Sequence, residues 1–221
     1  MLKVLIACEE SQRVCSAFRE LGHEAYSADI QEPSGGHPEW HILEDVLPIL
    51  NGGEFETMDG TAHSVAKWDL LIAHPPCTYL SKAGACRLYP QKGVLDLERY
   101  EKGLKAKTFF LKMLTANCEH IAVENPQPLK VFELPKYTQI IQPYEYGHPY
   151  SKKTLLWLKG LPKLTPTEII NDYKPYLPSF TSHFKGDERR GKAQSAKLRS
   201  KTFEGIAAAM AKQWSEYLTK G

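Results

Sequence analysis

The sequence predicts an α/β fold: a mostly parallel sheet covered by helices on both faces, with an antiparallel hairpin at one edge. Three observations carry this expectation. Short apolar runs alternate with helical patterns through the first 125 residues, as in successive strand–helix units. After Pro143 the pattern changes to two extended runs around a turn, "YEYGHPYSKKTLLWLKGLP". Finally, the apolar runs end in polar or chemically unusual residues, which gathers acids, a cysteine and an asparagine along one sheet edge.

Each element follows from its residues. "LKVLIA" (2–7) is a short apolar run of strand type. Ser11 is placed to cap a helix with Val14, Phe18 and Leu21 at helical spacing, and Gly22 ends it. "EAYSADI" (24–30) reads as a second strand, followed by the Pro/Gly-rich loop "QEPSGGHPEW" and a third apolar patch, "EDVLPIL". Residues 51–67 read as loop or ragged helix. "WDLLIA" (68–73) is the fourth strand, and 97–117 form a long helix with Leu104, Phe109, Leu111 and Leu114 among its apolar positions. "HIAVEN" (120–125) is the fifth strand, stopped by Pro126. The chain finishes with a helix over 202–218 whose apolar face is Phe203, Ile206, Met210, Trp214 and Leu218, a stripe that reads as core packing.

Composition sets limits on function. A chain of 221 residues suits one α/β domain, here 1–221, with a short basic excursion at about 160–201 before the last helix. No apolar run approaches a membrane span, and the N-terminus carries no signal-peptide pattern, so no membrane partner is expected. Five cysteines, an odd number without a secreted-framework spacing, point to a reduced, cytoplasmic compartment. A net charge of +2 is too small to indicate nucleic acid, but its distribution is informative. Lys185, Arg189, Arg190, Lys192, Lys197, Arg199 and Lys201 crowd one segment that holds only Asp187 and Glu188 as acids, which reads equally well as a solvated loop or a phosphate-facing arm. Neither the composition nor any motif indicates a metal site or an oligomeric state.

Ligands of such sheets bind beyond the carboxyl ends of the strands, near the topological switch point. Strand one ends at Cys8-Glu9-Glu10, strand two at Asp29, strand four at His74-Pro75-Pro76-Cys77 and strand five at Glu124-Asn125. A cysteine held behind two prolines is either an inert loop residue or a presented nucleophile. A Glu-Asn at the end of a buried strand is harder to explain as packing, because charged groups are rarely buried without a partner. Together the two favour a site. Asn125 alone could also serve to satisfy loop backbone groups.

These motifs, in this order, resemble the S-adenosylmethionine-dependent cytosine-C5 DNA methyltransferases, in a small form with a reduced target-recognition region. "PPCTYLS" (75–81) matches the family's Pro-Cys motif after the fourth strand, and "AVENP" (122–126) stands where the family shows Glu-Asn-Val. The resemblance implies a Rossmann-like class I methyltransferase fold and S-adenosylmethionine as cofactor. It implies Cys77 as the thiolate that adds to cytosine C6 and Glu124 as the carboxyl partner of ring N3. The thiolate is needed because C5 is a poor nucleophile until C6 is attacked. By the same resemblance Asp29 binds the adenosine ribose, Ile30 packs on the adenine, Asp45 (with Val46) touches the adenine amine, and Ala7, Cys8, Glu9, Glu10 and Pro75 border the cofactor. Ser81, Asn125, Lys152, Lys153, Arg189, Arg190 and Arg199 are the substrate-side candidates.

The chain also departs from the family. "ACEES" replaces its glycine-rich first loop. Glu9 or Glu10 could pair with the cofactor ammonium, or be an acid favoured at a helix N-terminus. "GHPYSKKTLLW" (147–157) stands in for the Gln-Arg-Arg motif, leaving Lys152 and Lys153 as its only cations. The expected substrate is nucleic acid, with DNA placed first. The alternatives are the same chemistry on a free pyrimidine nucleotide, or an inactive relative that binds nucleic acid. A zinc deaminase is excluded because residue 80 is Leu80 where Pro-Cys-x-x-Cys needs cysteine. P-loop and dinucleotide fingerprints are absent.

Overall fold

The computed structural model describes residues 1–176 and 199–220. In chain order the strands and α-helices are β1 (Lys3–Ala7), α1 (Arg13–Glu20), β2 (Glu24–Ala28), β3 (His41–Ile42), β4 (Gly53–Glu56), β5 (Ala62–Val65), β6 (Leu70–Ala73), α2 (Ala85–Leu88), α3 (Leu97–Leu114), β7 (Ile121–Asn125), β8 (Gln139–Ile141), β9 (Tyr150–Ser151), β10 (Thr154–Lys159), β11 (Lys174–Pro175) and α4 (Glu204–Lys220). The main sheet runs β3-β2-β1-β6-β7-β10-β8. Strands β3, β2, β1, β6 and β7 are parallel, whereas β10 is antiparallel to both β7 and β8. The chain therefore has a Rossmann-like α/β sheet, mainly parallel with an antiparallel edge, as the sequence predicts.

Side-chain alternation along the strands divides the core in two. Leu5, Ala7, Leu71, Ala73, Ile121 and Val123 face the cluster completed by Phe110 and Met113 of α3. Val4, Ile6, Leu70, Ile72 and Ala122 face the other, which Phe18 of α1 and Ile206, Met210 and Trp214 of α4 complete. The apolar stripe of the last helix is core packing, with Phe203 buried beside it and Leu218 packed at its margin. Among the described residues no helix is long and apolar enough to cross a membrane.

Several local expectations are corrected. The third strand is His41–Ile42, not the "EDVLPIL" patch, which turns into a 3-10 helix at Leu47–Ile49 around Pro48. Residues 53–65 form an antiparallel hairpin, β4 with β5, turning near Asp59-Gly60. The partners at the antiparallel edge are β8 and β10, so one edge strand precedes the expected run; β9 pairs instead with β11. Strand β2 stops at Ala28, which leaves Asp29 and Ile30 beyond its end. On α3 the buried residues are Gly103, Phe110 and Met113 while Leu104 is exposed, because the Phe132 ring lies over Gly103 where a Cβ would collide with it.

Ser11 does not cap α1. Gln12 occupies the cap with a left-handed backbone, and the Glu9 carboxylate reaches forward to accept from the Val14 and Cys15 amides at 2.7 and 3.1 Å. Ser11 donates to that same carboxylate. Gly22 ends the helix as expected, with a φ of 79° that suits a residue lacking Cβ, and Leu21 turns half outward.

Candidate active site

The sheet changes direction of growth between β1 and β6, and the carboxyl ends of these two strands are adjacent. The amide of His74 still donates to the Ala7 carbonyl at 2.9 Å, after which Pro75 and Pro76 take the chain out of the sheet. Proline removes a backbone donor and fixes φ, so the strand cannot continue. Cys77 then closes a turn, its carbonyl accepting from the amides of Leu80 and Ser81 at 3.1 and 2.9 Å. This turn is stitched to the loop after β7: the Lys82 amide donates to Gln127 and the Leu129 amide to Leu80. Asn125, 1% exposed, donates from Nδ2 to the Pro75 carbonyl at 3.1 Å.

Glu124 and Cys77 share one electrostatic site. Burial raises the Cys77 thiol above its ordinary pKa and the Glu124 charge raises it further, while Lys152 and Arg199 pull it down. Both cations therefore act on the cysteine through their charge, one from the segment before β10 and one from the chain leading into α4. Lys152 Nζ also donates to the Arg199 carbonyl at 2.7 Å. A small cavity beside Glu124 is lined by Lys152, Thr154, Thr202 and Phe203.

Glu124 has a partner that the sequence reading did not single out. His74 Nδ1 lies 2.9 Å from Glu124 Oε2, with the two side chains 10% and 14% exposed. Burial opposes the Glu124 charge, but the His74 hydrogen bond and the charges of Lys152 and His74 overcome it and hold the carboxyl below its usual range. Conversely, burial opposes charge on His74, and the hydrogen bond and charge of Glu124, aided by Glu9, raise it above an ordinary histidine. Glu9 is itself buried; burial lifts its pKa against the pull of His74 and the α1 amides.

The second half of the edge is formed by Ala7–Glu10, Asp29, Ile30 and Asp45. Burial, then the charges of Asp29 and Asp45, push the Cys8 thiol up to about 12, so both acids face the end of β1. Asp29 Oδ1 accepts from the Gln31 amide and Asp45 Oδ1 from the Leu47 amide. Ile30 is 78% exposed, an apolar surface beside the Asp29 carboxylate. The loop lacks glycine, yet Cys8 and Gln12 adopt φ values of 60° and 56°, the region glycine favours. Glycine appears instead across the gap. A Cβ on Gly35 would lie 2.6 Å from Gln12 Cβ and 2.9 Å from the Ser11 carbonyl. Gln12 bonds that loop through the amide and carbonyl of His37, and Ser34 donates to Glu10.

The structure thus brings Cys77, Glu124, Asn125, Lys152 and Arg199 to one part of this sheet edge, and Ala7, Cys8, Asp29, Ile30 and Asp45 to another. Glu9 lies between them and Glu10 beside Asp29. Pro75 is buried, held by Asn125. Ser81 is buried in the stitching turn, where its amide serves Cys77. Lys153 is exposed, with no hydrogen bond or ion pair among the described residues. Arg189 and Arg190, with Lys185, Lys192 and Lys197, lie outside the described residues. The segment from Arg199 to Thr202 touches both parts of this edge. Lys201 donates to Ser34 and Arg13 to the Thr202 carbonyl, both at 2.7 Å. Among the described residues no group of three or more His, Cys, Asp or Glu is arranged to hold a metal ion. All five cysteines are free thiols.

No protein-family model matches the chain, and no curated protein matches it. Among solved structures it is similar to the Entamoeba histolytica methyltransferase EhMeth, at 14% identity and a TM-score of 0.42, covering 77% of this chain and 58% of that one. It is also similar to a DNMT2 mutant from Spodoptera frugiperda, at 14% identity and a TM-score of 0.37, covering 86% of this chain and 62% of the other. The chain thus spans about three fifths of the length of either structure.

Proposed function

We propose that the chain transfers a methyl group from S-adenosylmethionine to C5 of cytosine in DNA, with Cys77 as the nucleophile. The observation that carries this reading is the seam between the Cys77 turn and the strand of Glu124, where Asn125 holds the Pro75 carbonyl at 3.1 Å and Lys152, bonded to the Arg199 carbonyl at 2.7 Å, lines the cavity beside Glu124. A thiol beside a carboxyl group and two cations suits an anionic nucleotide whose ring is attacked by sulfur while its nitrogen is protonated.

The residues at the other part of this edge fit the cofactor. Asp29 offers a carboxylate for two ribose hydroxyls, exposed Ile30 offers a flat ring an apolar face, and Asp45 offers an acceptor for an exocyclic amine. When bound there, S-adenosylmethionine supplies the electrophilic methyl group. The chain's residues do the remainder. Glu124 holds N3 and passes it a proton, and the positive charge this brings to the ring offsets the carboxylate charge that raises the Cys77 thiol. The thiolate can then add to C6 while Lys152 and Arg199 hold phosphate. The basic segment that includes Arg189 and Arg190 is proposed to extend this phosphate contact along a strand.

Transfer of labelled methyl groups to duplex DNA, single-stranded DNA, RNA and deoxycytidine nucleotides, run side by side, tests the proposal. Label at C5 of cytosine in DNA is expected. Label only in free nucleotides replaces the polymer by a monomer, and no transfer with intact DNA binding identifies an inactive binding relative.

A further inference from the structure

His74 is a largely buried titratable group at this edge that neither thiol attack nor cofactor binding uses. Its Nδ1 meets Glu124 Oε2 at 2.9 Å, whereas its Nε2 is buried with no hydrogen-bond partner among the described residues. The charged groups that act on the ring are Glu124 on β7, Glu9 in the turn after β1 and Lys152 before β10. Burial opposes charge on the ring, and Lys152 does too, but the Glu124 hydrogen bond and charge, aided by Glu9, raise it above an ordinary histidine. The chemistry of the site poses a corresponding problem. A carboxyl group that protonates N3 must have a proton to give, and Glu124 beside His74 and Lys152 is held ionised.

We propose that His74 is a positioning residue that orients Glu124 and stores the proton which that carboxyl group delivers to the pyrimidine. The proposal rests on the methyl-transfer reading above. As the base docks, the Nδ1–H bond breaks and an Oε2–H bond forms. The carboxyl group then passes its proton to N3 while the Cys77 sulfur, having lost its own proton to water, bonds to C6. The imidazole is left neutral. After C5 takes the methyl group, its hydrogen leaves as a proton to water and the C5–H electron pair re-forms the C5–C6 double bond. The sulfur departs as thiolate and regains a proton from water. N3 gives its proton back through Glu124 to His74, which restores the ion pair. The charge-assisted hydrogen bond at Nδ1 also orients the Glu124 carboxylate.

Two readouts on the intact chain test this. Nitrogen NMR of the His74 ring, assigned by comparison with His74→Gln, should show both nitrogens protonated at neutral pH, and Glu124→Gln should lower the titration midpoint. A neutral ring, or a midpoint that Glu124→Gln leaves in place, overturns the proposal. In single-turnover methyl transfer, His74→Gln should slow the chemical step by about 10²–10⁴-fold with little change in KM, and remove the alkaline decline of its pH profile. His74→Asn keeps a donor near Oε2 but holds no transferable proton, so it should be equally slow. Recovery of the rate in His74→Asn overturns the storage role. If the wild-type chain methylates nothing while the NMR result holds, the methyl-transfer reading fails and the charged pair stands.

Discussion

Asn125 Nδ2 donates to the carbonyl oxygen of Pro75 at 3.1 Å, so the strand carrying Glu124 also fixes the turn that presents Cys77. This side-chain amide, with the Lys82–Gln127 and Leu129–Leu80 backbone bonds, registers Cys77 against Glu124. Asn125→Ala leaves a buried carbonyl without its donor, a loss of about 1–3 kcal/mol. Chemical denaturation should show that loss, and methyl transfer should fall even under conditions where the variant remains folded.

Cys77→Ser should abolish a covalent complex with DNA containing 5-fluorocytosine. Fluorine at C5 cannot leave as the hydrogen does, so the wild-type adduct accumulates after methyl transfer. Mass spectrometry should place it on the peptide containing Cys77. Cofactor affinity should be unchanged in the variant, because Cys77 lies with Glu124 and Lys152 and not with Asp29 and Asp45. Methyl transfer surviving Cys77→Ala would assign the nucleophile elsewhere.

Asp29→Ala should weaken S-adenosylmethionine binding by about 1.5–3 kcal/mol, the value of charge-assisted hydrogen bonds to ribose. Calorimetry with the cofactor and with its demethylated product should show the same loss for both, since the adenosine moiety is common to them. Equal affinity in variant and wild type removes Asp29 from the cofactor site.

The Glu124–His74 pair predicts a window of stability in pH. Glu124 is held below its ordinary 4.5, so its contribution is complete above pH 4.5 and is lost as pH falls through the lowered value. His74 is held above its ordinary 6.5, so its contribution is complete below pH 6.5 and is lost as pH rises through the raised value. The stability difference between wild type and Glu124→Gln should therefore be greatest, about 1.5–3 kcal/mol, between pH 4.5 and 6.5. Thermal denaturation across pH should show it shrinking on either side. A difference independent of pH contradicts the ion pair.

Much of this arrangement is legible in the chain because the parallel strands are buried on both faces and read as unbroken apolar runs. The helix stripe of Ile206, Met210 and Trp214 is equally plain. The hairpin at 53–65 was hidden by its exposure: Phe55 is buried between exposed Glu54 and Glu56, so one residue carries the alternation. Strand β3 is two residues long, too short for any period. The cap of α1 departs from the Ser11 expectation because a left-handed Gln12 lets a carboxylate three residues earlier reach the helix amides, which spacing alone does not reveal. His74 was silent for a different reason. A histidine before two prolines acquires chemical meaning only through Glu124, fifty positions away in sequence.

The contact between Gly35 and Gln12 has a consequence for the order in which the molecule loosens. Gln12 begins α1 and also grips the 34–38 loop through both polar atoms of its side chain, with Gly35 pressed against its Cβ. The loop cannot swing away without freeing the residue on which the helix starts. Loop and first helical turn should therefore open as one cooperative unit, not as a frayed surface segment beside an intact helix. Amide hydrogen exchange at Ser34, His37, Val14 and Cys15 should then report a single opening free energy, and Gly35→Ala should lower it at all four positions together.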